Sequence, residues 1–159
     1  MRFLGAIFSG LILVAACGGT NAGAAGGLVG APASPPTARS YDACGFKTAE
    51  RTVIRSEAAW REAWAKLNES PPTAAPAVDF SRDMLLLAAL GQRNTGGYAV
   101  QIASANVTNG VLRVEVVETR PGIGCMTTQA LTCPVAVARV PRHDGAVEFV
   151  DRVDVRDCT

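Results

Sequence analysis

The sequence predicts an α+β, β-rich fold: a mainly antiparallel sheet of about six strands, carrying one packed helix and stapled by disulfides. Three observations carry this. Apolar residues alternate at period two in short runs bounded by turn pairs such as Asn109-Gly110 and Asp144-Gly145. One stretch only, Glu57 to Leu67, has helical spacing, with Trp60, Trp64 and Leu67 at i, i+4 and i+7. Cys44, Cys125, Cys133 and Cys158 form an even set in a chain that begins with an export signal.

Phe46 to Arg55 reads as the first strand, through Val53-Ile54. Ser56 then stands at an N-cap with Glu57 in the first turn, which starts a helix. Its two tryptophans suit a stripe packed on a sheet better than a ligand box. Pro71-Pro72 and Pro76 make the next loop. Asp83 to Leu90 holds the unbroken apolar run Met84-Leu-Leu-Leu-Ala-Ala-Leu90, too short for a solitary helix and suited to a strand buried on both faces.

Arg93-Asn94-Thr95-Gly96-Gly97-Tyr98 forms a tight polar corner between two apolar segments, its paired glycines allowing the reversal. Tyr98 to Ala105 then alternates, and Asn109-Gly110 signals a hairpin into Val111 to Thr119. A long connection follows from Arg120 to Thr132, with Pro121, Gly122, Ile123 and Gly124. Pro134 to Val140 is the fifth strand in this count, and Asp144-Gly145 turns it into Val147 to Arg156. On that last strand Phe149, Val153 and Val155 share one face while Arg152, Asp154 and Arg156 share the other. Four cysteines allow three connectivities. The expected pairing is Cys44–Cys158, joining the two ends of the domain, and Cys125–Cys133, closing a short loop.

The first sixteen residues read as a signal peptide: Arg2 supplies a positive start, and Phe3 to Ala16 is apolar or small apart from Ser9. That run falls short of the roughly 20 residues that span a bilayer. Leu13-Val14-Ala15-Ala16-Cys17 resembles the bacterial lipobox, which implies cleavage before Cys17 and acylation there. Several acyl chains anchor firmly, since each buried methylene contributes about 0.8 kcal/mol. Gly18, where the retention pattern of lipoproteins in double-membraned bacteria has Asp, points to the outer membrane if the organism has one. Residues 17–40 read as the lipidated cysteine and a flexible tether, rich in Gly, Ala and Pro, with Arg39 its one charge. Such a coil spans roughly 25 Å. Residues 41–159 form the domain. The expected location is therefore the cell envelope, held to a membrane by lipid alone.

Removing residues 1–16 takes the basic count from 15 to 14, against 14 acidic residues. A balanced chain lacks the basic face that nucleic acid requires, so no nucleic-acid partner is expected. No catalytic constellation stands out. His143 is the sole histidine and sits beside a turn, where an exposed turn residue is the simpler reading. Asp79 and Asp83 read as capping a turn rather than as a carboxylate pair. Asp151, Asp154 and Asp157, three apart on a strand, do not converge on a metal. One histidine and no Cys-x-x-Cys make a metal site improbable. No enzyme activity and no cofactor are expected. The loops 92–98 and 120–126, each with glycines, an arginine and apolar side chains, are left as the recognition candidates. Arg82, Arg93 and Arg120 are spaced so that they can meet only through the tertiary fold.

Val78-Asp79-Phe80-Ser81, Met84-Leu85-Leu86-Leu87, Gly91-Gln92 and Thr95-Gly96-Gly97-Tyr98 together resemble the C-terminal domain of the PrcB family. Pro121-Gly122, Gln129-Ala130-Leu131-Thr132 and Pro134 fit the same pattern, so the resemblance spans about residues 46–142. It implies a non-enzymatic accessory domain that binds a protein partner, with a surface protease as the family's association. A second likeness is to chagasin-type cysteine-protease inhibitors. Thr95, Gly96 and Tyr98 match part of their first loop, and Gly122-Ile123-Gly124 matches their Gly-x-Gly loop. Val140-Pro141-Arg142 does not reproduce their third, and the proline of the first loop is missing. Replacing Cys17 by Ser is expected to abolish labelling of the chain by radioactive palmitate; undiminished labelling would refute the lipid anchor.

Overall fold

The computed structural model describes residues 37–67 and 73–158. The signal peptide, Cys17, most of the tether and Pro71-Pro72 lie outside the described residues. The elements run β1 (Thr37–Asp42), β2 (Glu50–Ile54), α1 (Glu57–Leu67), β3 (Asp83–Ala89), β4 (Ala99–Thr108), β5 (Val111–Pro121), β6 (Pro134–Pro141) and β7 (Val147–Arg156). The β-rich α+β class with one helix is thus the fold observed. The strands form two sheets rather than one, ordered β1-β6-β3-β2 and β4-β5-β7.

Two central strands organise the layers. Met84, Leu86, Ala88 and Leu90 of the β3 run, with Ala136, Ala138 and Val140 of β6, pack against Val100 and Ile102 of β4 and Leu112, Val114 and Val116 of β5. The alternate residues Leu85, Leu87, Ala89, Val135 and Val137 pack the opposite way, against Ile54, Trp60, Ala63 and Leu67. This is why the sequence of β3 is apolar without alternation: helix lies on one face and the second sheet on the other. The molecule therefore has three layers, α1, the four-stranded sheet and the three-stranded sheet.

Helix α1 starts where expected, with the Ala59 amide donating to Ser56 Oγ at 3.3 Å. Its buried stripe is Trp60, Ala63 and Leu67, not Trp60, Trp64 and Leu67. Trp60 is core. Trp64 sits at the margin, donating from Nε1 to the Thr73 carbonyl at 2.7 Å and meeting the Tyr41 ring edge-on at 6.1 Å. The Asn109-Gly110 hairpin forms as expected, with φ of 50° and 78°, the paired positive values of a tight turn.

Strand β1 begins at Thr37, inside the segment assigned to the tether. It pairs with β6 from Thr37↔Arg139 to Asp42↔Pro134, while β3 holds the other edge of β6. With both edges of β6 occupied, the Asp144-Gly145 turn cannot close a hairpin. It carries the chain into the other sheet instead, where β7 runs parallel to β5 from Leu112↔Val147 to Pro121↔Arg156. This one displacement corrects the disulfides. The expected pairs Cys44–Cys158 and Cys125–Cys133 do not form; the bridges are Cys44–Cys133 and Cys125–Cys158, with Cα separations of 4.9 and 5.1 Å. Cys44 follows β1 and Cys133 precedes β6, so antiparallel pairing brings them together, and the Ala43 amide donates to the Cys133 carbonyl at 2.9 Å. Cys125 and Cys158 each follow one of two parallel strands that end side by side.

Non-reducing peptide mapping is expected to recover peptides linked 44–133 and 125–158, and links 44–158 or 125–133 would overturn this topology. The first bridge spans 89 residues and the second 33. The chain-entropy relation gives about 4.6 and about 3.7 kcal/mol for them, so the Cys44→Ala/Cys133→Ala variant should lose more stability in denaturant titration.

Candidate functional site

The two loops singled out by sequence meet at one end of the molecule. Arg93 and Thr132 exchange backbone hydrogen bonds of 2.8 and 2.9 Å, the Gly96 amide donates to the Thr128 carbonyl at 2.9 Å, and the Thr132 hydroxyl donates to the Thr95 carbonyl at 2.9 Å. The corner is thereby sewn to the descending arm of the 120–132 connection. Gly97 has φ of 87° and lies so close to Pro121 and Thr127 that a Cβ would sit 3.1–3.3 Å from their side chains. At Gly96 a Cβ would collide with the Thr128 hydroxyl. The paired glycines thus serve both the turn and the close approach of the second loop.

Side chains lock the same corner. The Arg93 guanidinium lies over the Tyr98 ring at 5.4 Å and faces Glu118 at 3.6 Å. Arg120 donates twice to Glu118, at 2.7 and 3.3 Å. Tyr98 packs on the edge of the inter-sheet core. The Glu118 carboxylate is only 12% exposed. Hydrogen bonding from Arg120, with the charges of Arg120 and Arg93, holds its pKa below the usual glutamate range despite the burial that opposes this. Arg93 and Arg120, two of the three arginines named from the sequence, meet here on Glu118, while Glu118 and Thr128 are parts of this site that the sequence does not reveal. Glu118 and Arg120 do share one face of β5 by parity, but nothing in the chain marks Arg93 as their partner. Arg82 does not join them; its carbonyl accepts from the Arg142 amide at 2.8 Å, at the other end of the sheet.

Beyond the clamp the chain turns through Gly122-Ile123-Gly124-Cys125, with the Cys125 amide donating to the Gly122 carbonyl at 3.2 Å and Gly124 at φ of 88°. Positive φ at the third position is what a type II turn demands, hence glycine. The Gly122 amide also donates to the Arg156 carbonyl at 2.9 Å, and Cys125–Cys158 fastens the turn to the end of β7. Two apolar side chains project from this fastened turn. Ile123 and Met126 are fully exposed, at 107% and 100%, and Leu131 is half exposed.

Other candidates disperse. Asp79 caps its turn, accepting from the Ser81 hydroxyl and amide at 2.6 and 3.0 Å, and those bonds lower its pKa. Asp83 instead opens β3 and pairs with Arg139. Asp151 and Asp154 pair with Arg51 and Arg152. His143 is half-buried rather than exposed, at the far end beside Gly145, with its Nε2 buried and without a hydrogen bond. No metal-binding group occurs among the described residues. The third inhibitor-like loop, Val140-Pro141-Arg142, lies opposite Asp83 at the end of β6 remote from the corner. A hollow of about 630 Å³ lies between α1 and Thr73–Val78. Its only charged lining residues, Glu57 and Arg61, pair with each other. A shallower one of about 190 Å³ flanks Tyr98, Thr132 and Pro134. Ser40 and Asp42 also line it, and the Asp42 carboxylate accepts from the Cys133 amide.

Residues 84–141 match the family model described as PrcB C-terminal. The matched stretch runs from β3 through β6, within the 46–142 of the resemblance, and contains the corner, the clamp and the Ile123 turn. No curated protein and no solved structure matches the chain.

The Glu118 pKa gives a pH signature. Because its folded value lies below the unfolded one of about 4.3, the stabilisation is complete above that pH and lost as pH falls through the folded value. Urea titrations at successive pH values should show Glu118→Gln less stable than wild type at pH 6, with the gap closing below about pH 4; a gap constant with pH would show that the carboxylate is not held this way.

Proposed function

We propose, taking the PrcB C-terminal match over residues 84–141 as premise, that this chain is a non-enzymatic accessory module that binds another protein, and that its partner belongs to a surface protease assembly. The observation that carries the binding reading is the Ile123 turn: two apolar side chains wholly in water, on a loop held by a disulfide, a sheet-type hydrogen bond and the corner. A loop fixed before binding loses little conformational freedom on docking, so its apolar side chains contribute most of their burial to affinity. Exposed aliphatic residues on such a frame are what an interface anchor requires. The family association supplies the kind of partner, a protease or a subunit beside it.

We place the domain at a membrane by lipid on Cys17, with residues 18–36 between anchor and β1. In this arrangement the domain carries no chemistry of its own, and its role is to hold or position the partner at the envelope. The tethered geometry raises the local concentration of two anchored partners, so modest affinity suffices.

The test is affinity capture of the full chain from detergent-solubilised membranes. Wild type is expected to retain a discrete partner with protease subunits among its components. The Ile123→Asp/Met126→Asp variant should bind about 30-fold more weakly, as for loss of an anchor contributing about 2 kcal/mol. Since both side chains are fully exposed, the variant should keep its circular dichroism spectrum. Equal retention by both proteins would refute the turn as the contact.

A further inference from the structure

Strand β7 is the last strand of its sheet, and its outer edge has no partner among the described residues. The direction of its backbone groups follows from its two ends. Ala146 accepts from the Leu112 amide and Arg156 accepts from the Gly122 amide, each at 2.9 Å, so even-numbered residues face β5. In a parallel ladder the alternate residues face away. Val147, Phe149, Asp151, Val153 and Val155 therefore present their N–H and C=O groups to the free edge. The other edge of this sheet, β4, is guarded: it lies over β6, β3 and β1, and a register shift interrupts it between Ile102 and Ser104. β7 has no bulge, proline or glycine over ten residues. Only Val147 and Phe149 pack on the core, while Val150, Val153 and Val155 are 40–60% exposed.

We infer that a second copy of this chain pairs antiparallel with β7, joining the two three-stranded sheets into one of order β4-β5-β7-β7-β5-β4. Charge decides both the partner and the register. In a symmetric antiparallel pair, facing residues share a face, so the two-fold axis must pass through one residue of β7. Centred on Asp151 or Asp154 it sets acid against acid, and centred on Arg152 it sets base against base; like charges directly opposite are destabilising. Centred on Val153 it sets Arg152 of each copy against Asp154 of the other, twice, at the closer non-hydrogen-bonded positions. Val153 then faces its own copy across a hydrogen-bonded pair, and Asp151 faces Val155. Two other centres also set opposite charges face to face: Val150 pairs Arg152 with Glu148 but lies in the half of β7 packed on the core, and Val155 pairs Asp154 with Arg156 but overlaps the strand only over 154–156, against 150–156 for Val153. Within one chain Arg152 already touches Glu115 and Asp154 on the outward face, so the guanidinium stands among acids at the seam before any partner arrives. The exposed valines of β7 and its self-complementary charges thus point to the same occupant. This inference is independent of the Ile123 contact.

Differently tagged full-length copies, co-expressed and purified in detergent, test it. Wild-type copies should co-purify. Arg152→Asp with itself and Asp154→Arg with itself should each co-purify about tenfold less, while Arg152→Asp with Asp154→Arg should recover, since each seam pair is again opposite in sign. A second measurement does not depend on those variants folding. Val153→Cys copies should cross-link on mild oxidation, because hydrogen-bonded partners stand about 5.5 Å apart at Cα, within disulfide reach; Val150→Cys copies should not. Absence of wild-type co-purification, a mixed pair no better than the matched ones, or cross-linking at 150 instead of 153 would overturn the proposal.

Discussion

The structure depends on β3 and β6 being buried on both faces. Their alternate side chains must be covered by α1 on one side and by β4 and β5 on the other. Burial of this kind contributes roughly 1.5–3 kcal/mol per large aliphatic side chain, so neither cover is dispensable. Edge occupancy follows from the same requirement. Because β1 and β3 take both edges of β6, the last strand has to join the other sheet, and it enters beside β5 in parallel. Parallel pairing then sets the ends of β5 and β7 next to each other, which is the condition for Cys125 and Cys158 to meet. The fastening of the Ile123 turn is thus a consequence of how the core is layered.

The corner transmits that order across the end of the sandwich. Arg93 belongs to the chain leaving β3, Tyr98 precedes β4, and Glu118 and Arg120 close β5, so one guanidinium and one carboxylate join the two sheets. A single exposed ion pair contributes about 0–1 kcal/mol. Here the carboxylate is nearly covered and meets two arginines, one of them through two hydrogen bonds, which makes breaking the group costlier than any one pair suggests. Glycines at 96 and 97 let the 127–132 arm lie against the corner, where any side chain would push it off.

What could be read from the chain follows how local each feature is. β3 was legible because burial on both faces leaves an uninterrupted apolar run, and the Asn109-Gly110 hairpin because its turn chemistry sits in two adjacent residues. α1 was legible from its cap and stripe, although the stripe rotates toward Ala63, since a small residue lets the helix approach the sheet where Trp64 would hold it away. β1 was hidden. Thr37-Ala-Arg-Ser-Tyr-Asp42 is an edge strand with nearly every residue exposed, so its sequence shows no apolar face and merges with the Gly/Pro-rich segment before it. Missing β1 leaves an edge of β6 open, and the natural inference is then a β6–β7 hairpin and the wrong disulfides. The loops were recognisable as candidates, but their union was not, because Arg93, Glu118 and Thr132 are brought together only by tertiary pairing.

The site's character also follows from what the framework spends its rigidity on. The polar groups at the corner converge on one another: Glu118 on its two arginines and Thr132 on the Thr95 carbonyl. Among the side chains that face water there are the apolar Ile123 and Met126. Large exposed aliphatic side chains are a solubility cost to a monomer unless something covers them. A disulfide, a clamp and two close-packed glycines together fix the loop from which Ile123 and Met126 project, and the proposed contact rests on that fixed geometry.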